Sequence, residues 1–275
     1  MTFAWSTVGT VHVNGVRLGF RESGDPAGAP VVLLHGSGSN ASTWDRFAAR
    51  LAGAGRRAIA VDLRGHGSSA RTGGYALDAL RDDVLALIEK LSLRGAVLVG
   101  HSVGGYAALA AAQQSPDGVG SLVLEDLAAP PRVRSPMNGF NPLQALGAAA
   151  GIFTARRDYQ LRAVASILRQ LTRPDAGWWA RLGEVRQPTL ILSGGPASCI
   201  PPARLADVTG EIPGARLTTI PVGHRVHSLA PDQFAAEVLR FLNPTGRPAR
   251  PHLAGFRHAE DRARVSRLTA QIASE

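Results

Sequence analysis

The chain has 275 residues, 45% hydrophobic and 19% charged, the balance of an ordinary soluble globular protein able to bury a sizeable core. Its net charge of +9 comes from scattered arginines, Lys90 being the sole lysine, with no aromatic–basic interleaving, so nucleic-acid binding is not expected. The single cysteine, Cys199, rules out an intramolecular disulfide. Residues 143–153 form the longest apolar run, too short and glycine-rich to span a bilayer, and Met1-Thr2-Phe3-Ala4-Trp5 lacks the character of a secretory leader. A cytoplasmic protein without membrane association is therefore expected.

Two β-rich segments, 8–13 and 16–22, flank Asn14-Gly15, a favourable hairpin pair. Strand-like and helix-like runs then alternate. Residues 31–34 precede a helix from about Thr43, and 57–61 precede one over about 75–91. Residues 97–99 lead into an alanine-rich helix after Ser102, and 122–124 follow it. Strands apolar on both faces and separated by helices predict a parallel sheet covered on both sides, with the hairpin at one edge.

The rhythm breaks between about 127 and 186, where helical stretches such as 159–171 appear without a clear strand. It resumes with a strand at 189–192, a helix near 203–208, a strand at 216–220 and a helix at 231–242. The expected division is therefore an α/β core over 1–126 and 187–243, a helical cap over 127–186, and a basic tail or extra helix over 244–275. Such an insertion suits a lid over the carboxyl edge of the sheet, where ligands bind in α/β folds.

The chemistry centres on Gly100-His101-Ser102-Val103-Gly104-Gly105. Glycines on either side let a strand turn sharply into a helix, so that the Ser102 hydroxyl projects from the bend as a nucleophile. The helix start leaves unpaired N–H groups beside it. A serine hydroxyl needs a base, and that base needs an orienting carboxylate. His224, in Ile220-Pro221-Val222-Gly223-His224, lies after the last strand and far downstream of the serine; His227 is the fallback and reads more simply as structural. In His35-Gly36-Ser37-Gly38, the backbone N–H of Ser37 is the candidate oxyanion donor, with that of Val103 as its partner, each typically contributing about 3 kcal/mol. Arg64 and His66, in Asp62-Leu63-Arg64-Gly65-His66-Gly67, read as loop-packing residues.

With these blocks in order, residues 8–243 resemble the α/β-hydrolase family. The resemblance implies a mostly parallel eight-stranded sheet with helices on both faces, a helical cap after the sixth strand, and no metal or organic cofactor. One departure stands out. The family most often places its acid just after the penultimate core strand, but here that turn is Gly194-Gly195-Pro196-Ala197-Ser198-Cys199, with no carboxylate, and Asp207 beyond it is expected to face solvent. Other members carry the acid after the strand that follows the nucleophile helix, which here ends in Glu125-Asp126. Strand alternation sends the two to opposite faces, so only one can face His224. Asp126, one step further out and at the spacing from the nucleophile seen in members with the displaced acid, is preferred and Glu125 is the alternative.

The expectation is a serine hydrolase acting through an acyl-enzyme on a carboxylic ester, thioester or lactone of a small to medium apolar substrate. Phe140, Phe153, Tyr159, Trp178 and Trp179 are candidates to line its pocket or to pack cap against core. Alternatives are a slow-turnover ligand-binding or signalling homologue, and a cofactor-free C–C hydrolase or cyclase on the same scaffold. Oligomeric state has no signature in the sequence.

Overall fold

A computed structural model describes residues 5–72, 74–133 and 158–243. Its centre is an eight-stranded sheet: β1 (Thr7–Val13), β2 (Val16–Ser23), β3 (Pro30–Leu34), β4 (Arg57–Val61), β5 (Ala96–His101), β6 (Val119–Glu125), β7 (Thr189–Ser193) and β8 (Arg216–Thr219), in the order β1-β2-β4-β3-β5-β6-β7-β8. β1 and β2 pair antiparallel, as do β2 and β4; every other neighbouring pair is parallel. Asn14 and Gly15 both have positive φ, +48° and +71°, the geometry a two-residue hairpin needs to match strand twist.

Among the described residues the helices are α1 (Asp45–Gly53), α2 (Leu77–Lys90), α3 (Val103–Gln114), α4 (Leu161–Leu171), α5 (Ala176–Ala180), α6 (Pro202–Glu211), α7 (Val226–Leu229) and α8 (Pro231–Leu242). Strand alternation splits the core in two. Val32, Leu34, Ile59, Leu98, Leu122 and Leu124 pack with α2 and α3 on one face. Val31, Leu33, Ala58, Ala60, Val99 and Val123 pack with α1 and α8 on the other. Both faces of β3–β6 are thus dry, which is why these strands read as unbroken apolar runs.

The helix expected from Thr43 begins slightly later, because Asn40 caps a short 3-10 turn at Ala41–Trp44 before α1. In the segment between β6 and β7, Ala163, Ile167, Leu171, Trp178 and Leu182 join the same buried cluster as α2 and α3. Trp178 is fully buried and stacks on Tyr106, and Trp179 donates its indole N–H to the Pro130 carbonyl, 3.0 Å away. Trp178 therefore packs the inserted segment onto the core, while the Trp179 bond ties two parts of that segment together. Phe140, Phe153 and the proposed tail over 244–275 lie outside the described residues.

Candidate active site

β5 ends at His101 and α3 begins at Val103, so Ser102 alone makes the turn, with φ +54° and ψ −115°. A Cβ on Gly100 would lie 2.4 Å from the Gly104 carbonyl carbon, and one on Gly104 would lie 2.3 Å from the Leu34 carbonyl oxygen. Only glycine permits so tight a crossing. The Ser102 N–H donates to the Glu125 carbonyl at 2.9 Å, and the Ser102 carbonyl accepts from Tyr106 and Ala128. The strained serine is thereby over-determined, as a non-glycine residue at positive φ must be.

Loop 35–41 comes up beside it: a Cβ on Gly36 would meet the His101 ring at 2.5 Å and Ser102 Cβ at 3.3 Å. Three contacts with the 62–69 loop hold it in shape. Leu63 N–H donates to His35 Nε2 at 3.0 Å, Ala41 N–H to Asp62 Oδ1 at 2.7 Å, and Gly38 N–H to His66 Nε2 at 3.1 Å. Both histidines therefore accept at Nε2 and carry their proton on Nδ1, facing the Gly36 and Arg64 carbonyls. Burial lowers the pKa of both, that of His66 to about 3 with help from the neighbouring His35, so both rings are neutral. Arg64 makes a buried two-pronged contact with Asp83, at 2.6 and 2.7 Å. Ser37 is suspended between His35 and Gly38, and its hydroxyl is buried without a hydrogen-bond partner among the described residues. Val103, first in α3, has no intrahelical acceptor for its N–H.

The candidate base, His224, lies on the loop after β8. Gly223 has φ +94°, and its N–H donates to the Gly194 carbonyl at 2.9 Å, joining the loops that follow β8 and β7. His224 Nδ1 lies 3.0 Å from Asp126 Oδ2, with Asp126 fully buried and the His224 side chain 28% exposed. Asp126 has φ +45°, which turns the chain just beyond β6, and its Oδ1 accepts from Gly194 N–H at 2.8 Å while the Ser198 hydroxyl donates to Oδ2. The turn that lacks an acid of its own thus supplies two donors to this one. Asp207 is exposed on α6. Ser102 Oγ and His224 are not hydrogen-bonded to each other in this structure, and such contacts commonly tighten only with substrate bound.

Burial by itself lowers the His224 pKa, but the Asp126 hydrogen bond and the adjacent Cys199 thiol outweigh it and raise the value to about 10. Glu125, the alternative acid, does not meet His224; its carboxylate meets His227 Nδ1 at 2.7 Å. Sequence reasoning missed Ser198, His101 and Thr43. The one available signal was the His-x-x-His spacing of 224 and 227, which sets two histidines three residues apart opposite two consecutive acids.

Among the described residues no three of His, Cys, Asp and Glu are grouped to hold a metal ion, and no helix is long and apolar enough to cross a membrane. A groove of about 270 Å³ beside α3 is lined by Leu77, Asp78, Tyr106, Gln170, Arg173 and Asp175, and includes neither Ser102 nor His224.

The model of the alpha/beta hydrolase family matches residues 31–237. The chain belongs to this family. It is 29% identical over 261 residues to the mouse (Mus musculus) sn-1-specific diacylglycerol lipase ABHD11, covering 80% of this chain and 82% of that one. It is 32% identical over 260 residues to the dihydrolipoyllysine-residue acetyltransferase component of the acetoin cleaving system of Pseudomonas putida, covering 84% and 68%. The crystal structure of the enol-lactonase from Burkholderia xenovorans LB400 superposes with a TM-score of 0.71 at 25% identity, covering 86% of this chain and all of that one. The lipase and the lactonase are hydrolases, which supports hydrolase activity for this member of the family.

Proposed function

We propose that the protein is a serine hydrolase that cleaves a carboxylic ester, thioester or lactone of a small to medium apolar substrate. The observation that carries this reading is the 3.0 Å contact between His224 Nδ1 and the buried Asp126, on the loop facing the strained Ser102 turn. With Nδ1 committed to Asp126, His224 Nε2 is the ring atom left to take the Ser102 proton. Ser102 Oγ then attacks the acyl carbon, and the N–H groups of Ser37 and Val103 stabilise the oxyanion. His224 returns the proton to the leaving group, an acyl-enzyme remains, and water activated by the same imidazole releases the acid. Asp126 orients the ring and offsets its positive charge.

The similarity to a lipase and to an enol-lactonase favours cleavage of an ester bond. The test is a burst-phase assay with p-nitrophenyl esters of increasing chain length, run beside Ser102→Ala. Turnover that depends on chain length and vanishes in the variant is the expected result. Equal turnover in the folded variant overturns the assignment.

A further inference from the structure

Two consecutive carboxylates, Glu125 at the end of β6 and Asp126 just beyond it, are both fully buried. Removing a carboxylate from water costs several kcal/mol unless donors meet it. The donors to Asp126 belong to the proposed triad. Those to Glu125 form a separate set. Glu125 Oε1 accepts from His227 N–H at 2.9 Å, and its two oxygens lie 2.9 and 2.7 Å from His227 Nδ1. On the far side of that ring, Nε2 lies 2.7 Å from the Thr43 hydroxyl. The ring packs against Trp44, with centroids 4.3 Å apart, and against His101 at 5.1 Å. This is a second carboxylate–imidazole–hydroxyl chain, its imidazole three residues beyond His224 and on α7.

The His227 side chain is only 1% exposed, so the imidazole of this second chain is closed off from any substrate. The bonds point instead to position. The main-chain carbonyl of Glu125 holds the Ser102 N–H, while its side chain holds His227. Between them, His101 Nε2 donates to the His224 carbonyl at 2.8 Å. One residue therefore grips the nucleophile's turn with its backbone and the base's loop with its carboxylate.

We infer that Glu125, with His227 and Thr43, is a positioning unit that fixes the separation between Ser102 and His224. The inference rests on the serine-hydrolase reading for its kinetic consequence, but the geometry it describes can be read without turnover. A network that merely fills the core would affect stability alone. A positioning unit also changes the environment of His224, whose charged and titratable neighbours are Asp126 just beyond β6, Cys199 from the turn after β7, His101 from β5 and Arg225 beside it.

The experiment is proton NMR of ¹⁵N-histidine-labelled protein, recorded against pH, on wild type, Glu125→Gln and Thr43→Val, with Asp126→Asn to assign the His224 Nδ1–H signal. Ester kinetics are measured on the same samples. The expected result is a His224 signal displaced in both Glu125→Gln and Thr43→Val, with its titration midpoint moved by about one pH unit in the former. The corresponding kcat falls at least about tenfold in Glu125→Gln with KM nearly constant, since substrate contacts are untouched. Thr43 is partly exposed, so its variant remains informative if the buried substitution fails to fold. An unchanged His224 signal and midpoint in the folded variants overturns the inference, even if their melting temperatures fall. Wild-type protein without Ser102-dependent turnover would overturn the hydrolase reading alone, leaving the NMR comparison to decide this one.

Discussion

The His101 ring, on the residue immediately before Ser102, donates to the main-chain oxygen of His224 across 2.8 Å. The Ser102 turn and the His224 loop are thus joined by a bond that involves neither of the side chains proposed to react. Burial and the two neighbouring histidines hold the His101 pKa well below its ordinary value, so the ring is neutral and Nε2 is its donor. In His101→Leu the His224 carbonyl loses this partner, at about 1–3 kcal/mol of stability. Thermal melting and ester kinetics should show a lower Tm and a reduced kcat; unchanged values of both would dismiss the bond as incidental.

Asp126→Asn separates orientation from charge. The amide retains the shape but presents a donor where His224 needs an acceptor, so kcat should fall by about 1,000- to 10,000-fold, the scale seen when an orienting carboxylate is neutralised. Glu125→Gln should cost far less. If the order is reversed, the acid has been misassigned.

The pKa of His224, raised to about 10, makes the imidazolium the resting form at neutral pH. Hydrolysis needs the neutral ring, so kcat/KM should rise about tenfold per pH unit and level off near 10. A plateau already reached below neutrality contradicts this. The stability linkage has the opposite slope. Because the folded-state pKa lies above the unfolded value of 6.5, this contribution is fully present below 6.5 and is lost as pH rises through 10.

His66 gives the complementary acid limb. Its folded pKa of about 3 lies below the unfolded 6.5, so the unfolded chain binds the extra proton and stability falls as pH drops from 6.5 towards 3. His66→Leu removes the acceptor of the Gly38 N–H and the acid-sensitive group together. Denaturant titrations at several pH values should show a flatter acid limb in the variant. Its kcat should drop about tenfold to a hundredfold, because the Ser37 N–H is no longer held in place.

Gly104→Ala tests the turn itself. Its Cβ would press on the Leu34 and His35 carbonyl oxygens at 2.3 and 2.7 Å, both backbone atoms that cannot swing aside. A loss of about 1–3 kcal/mol is expected from overpacking, with ester turnover falling further than stability as Ser102 is displaced. A fully active, equally stable variant would show that the crossing is looser than described.

Much of this was legible in the sequence because it is local. Asn14-Gly15 specifies a hairpin by its own backbone preference, and strands such as 31–34 announce two-sided burial by having no polar alternation. The glycines around Ser102 announce a crossing that a Cβ would forbid. The period of two in a strand showed that only one of Glu125 and Asp126 could face His224; the preference for Asp126 came from the resemblance, through its spacing from the nucleophile. The resemblance paired Asp126 with His224, but nothing in the sequence named a partner for Glu125. Asp126 lies 98 residues from His224 and Glu125 lies 102 from His227, and only the parallel order β5-β6-β7-β8 brings those chain segments to one sheet edge. Ser198, Thr43 and His101 were invisible for the same reason: a hydroxyl or an imidazole carries no pattern that names its distant partner. Local stereochemistry therefore determined the turn, the strands and the candidate nucleophile. Tertiary packing decided which carboxylate serves which histidine, because burial makes each charge accept the donors that the fold places within reach.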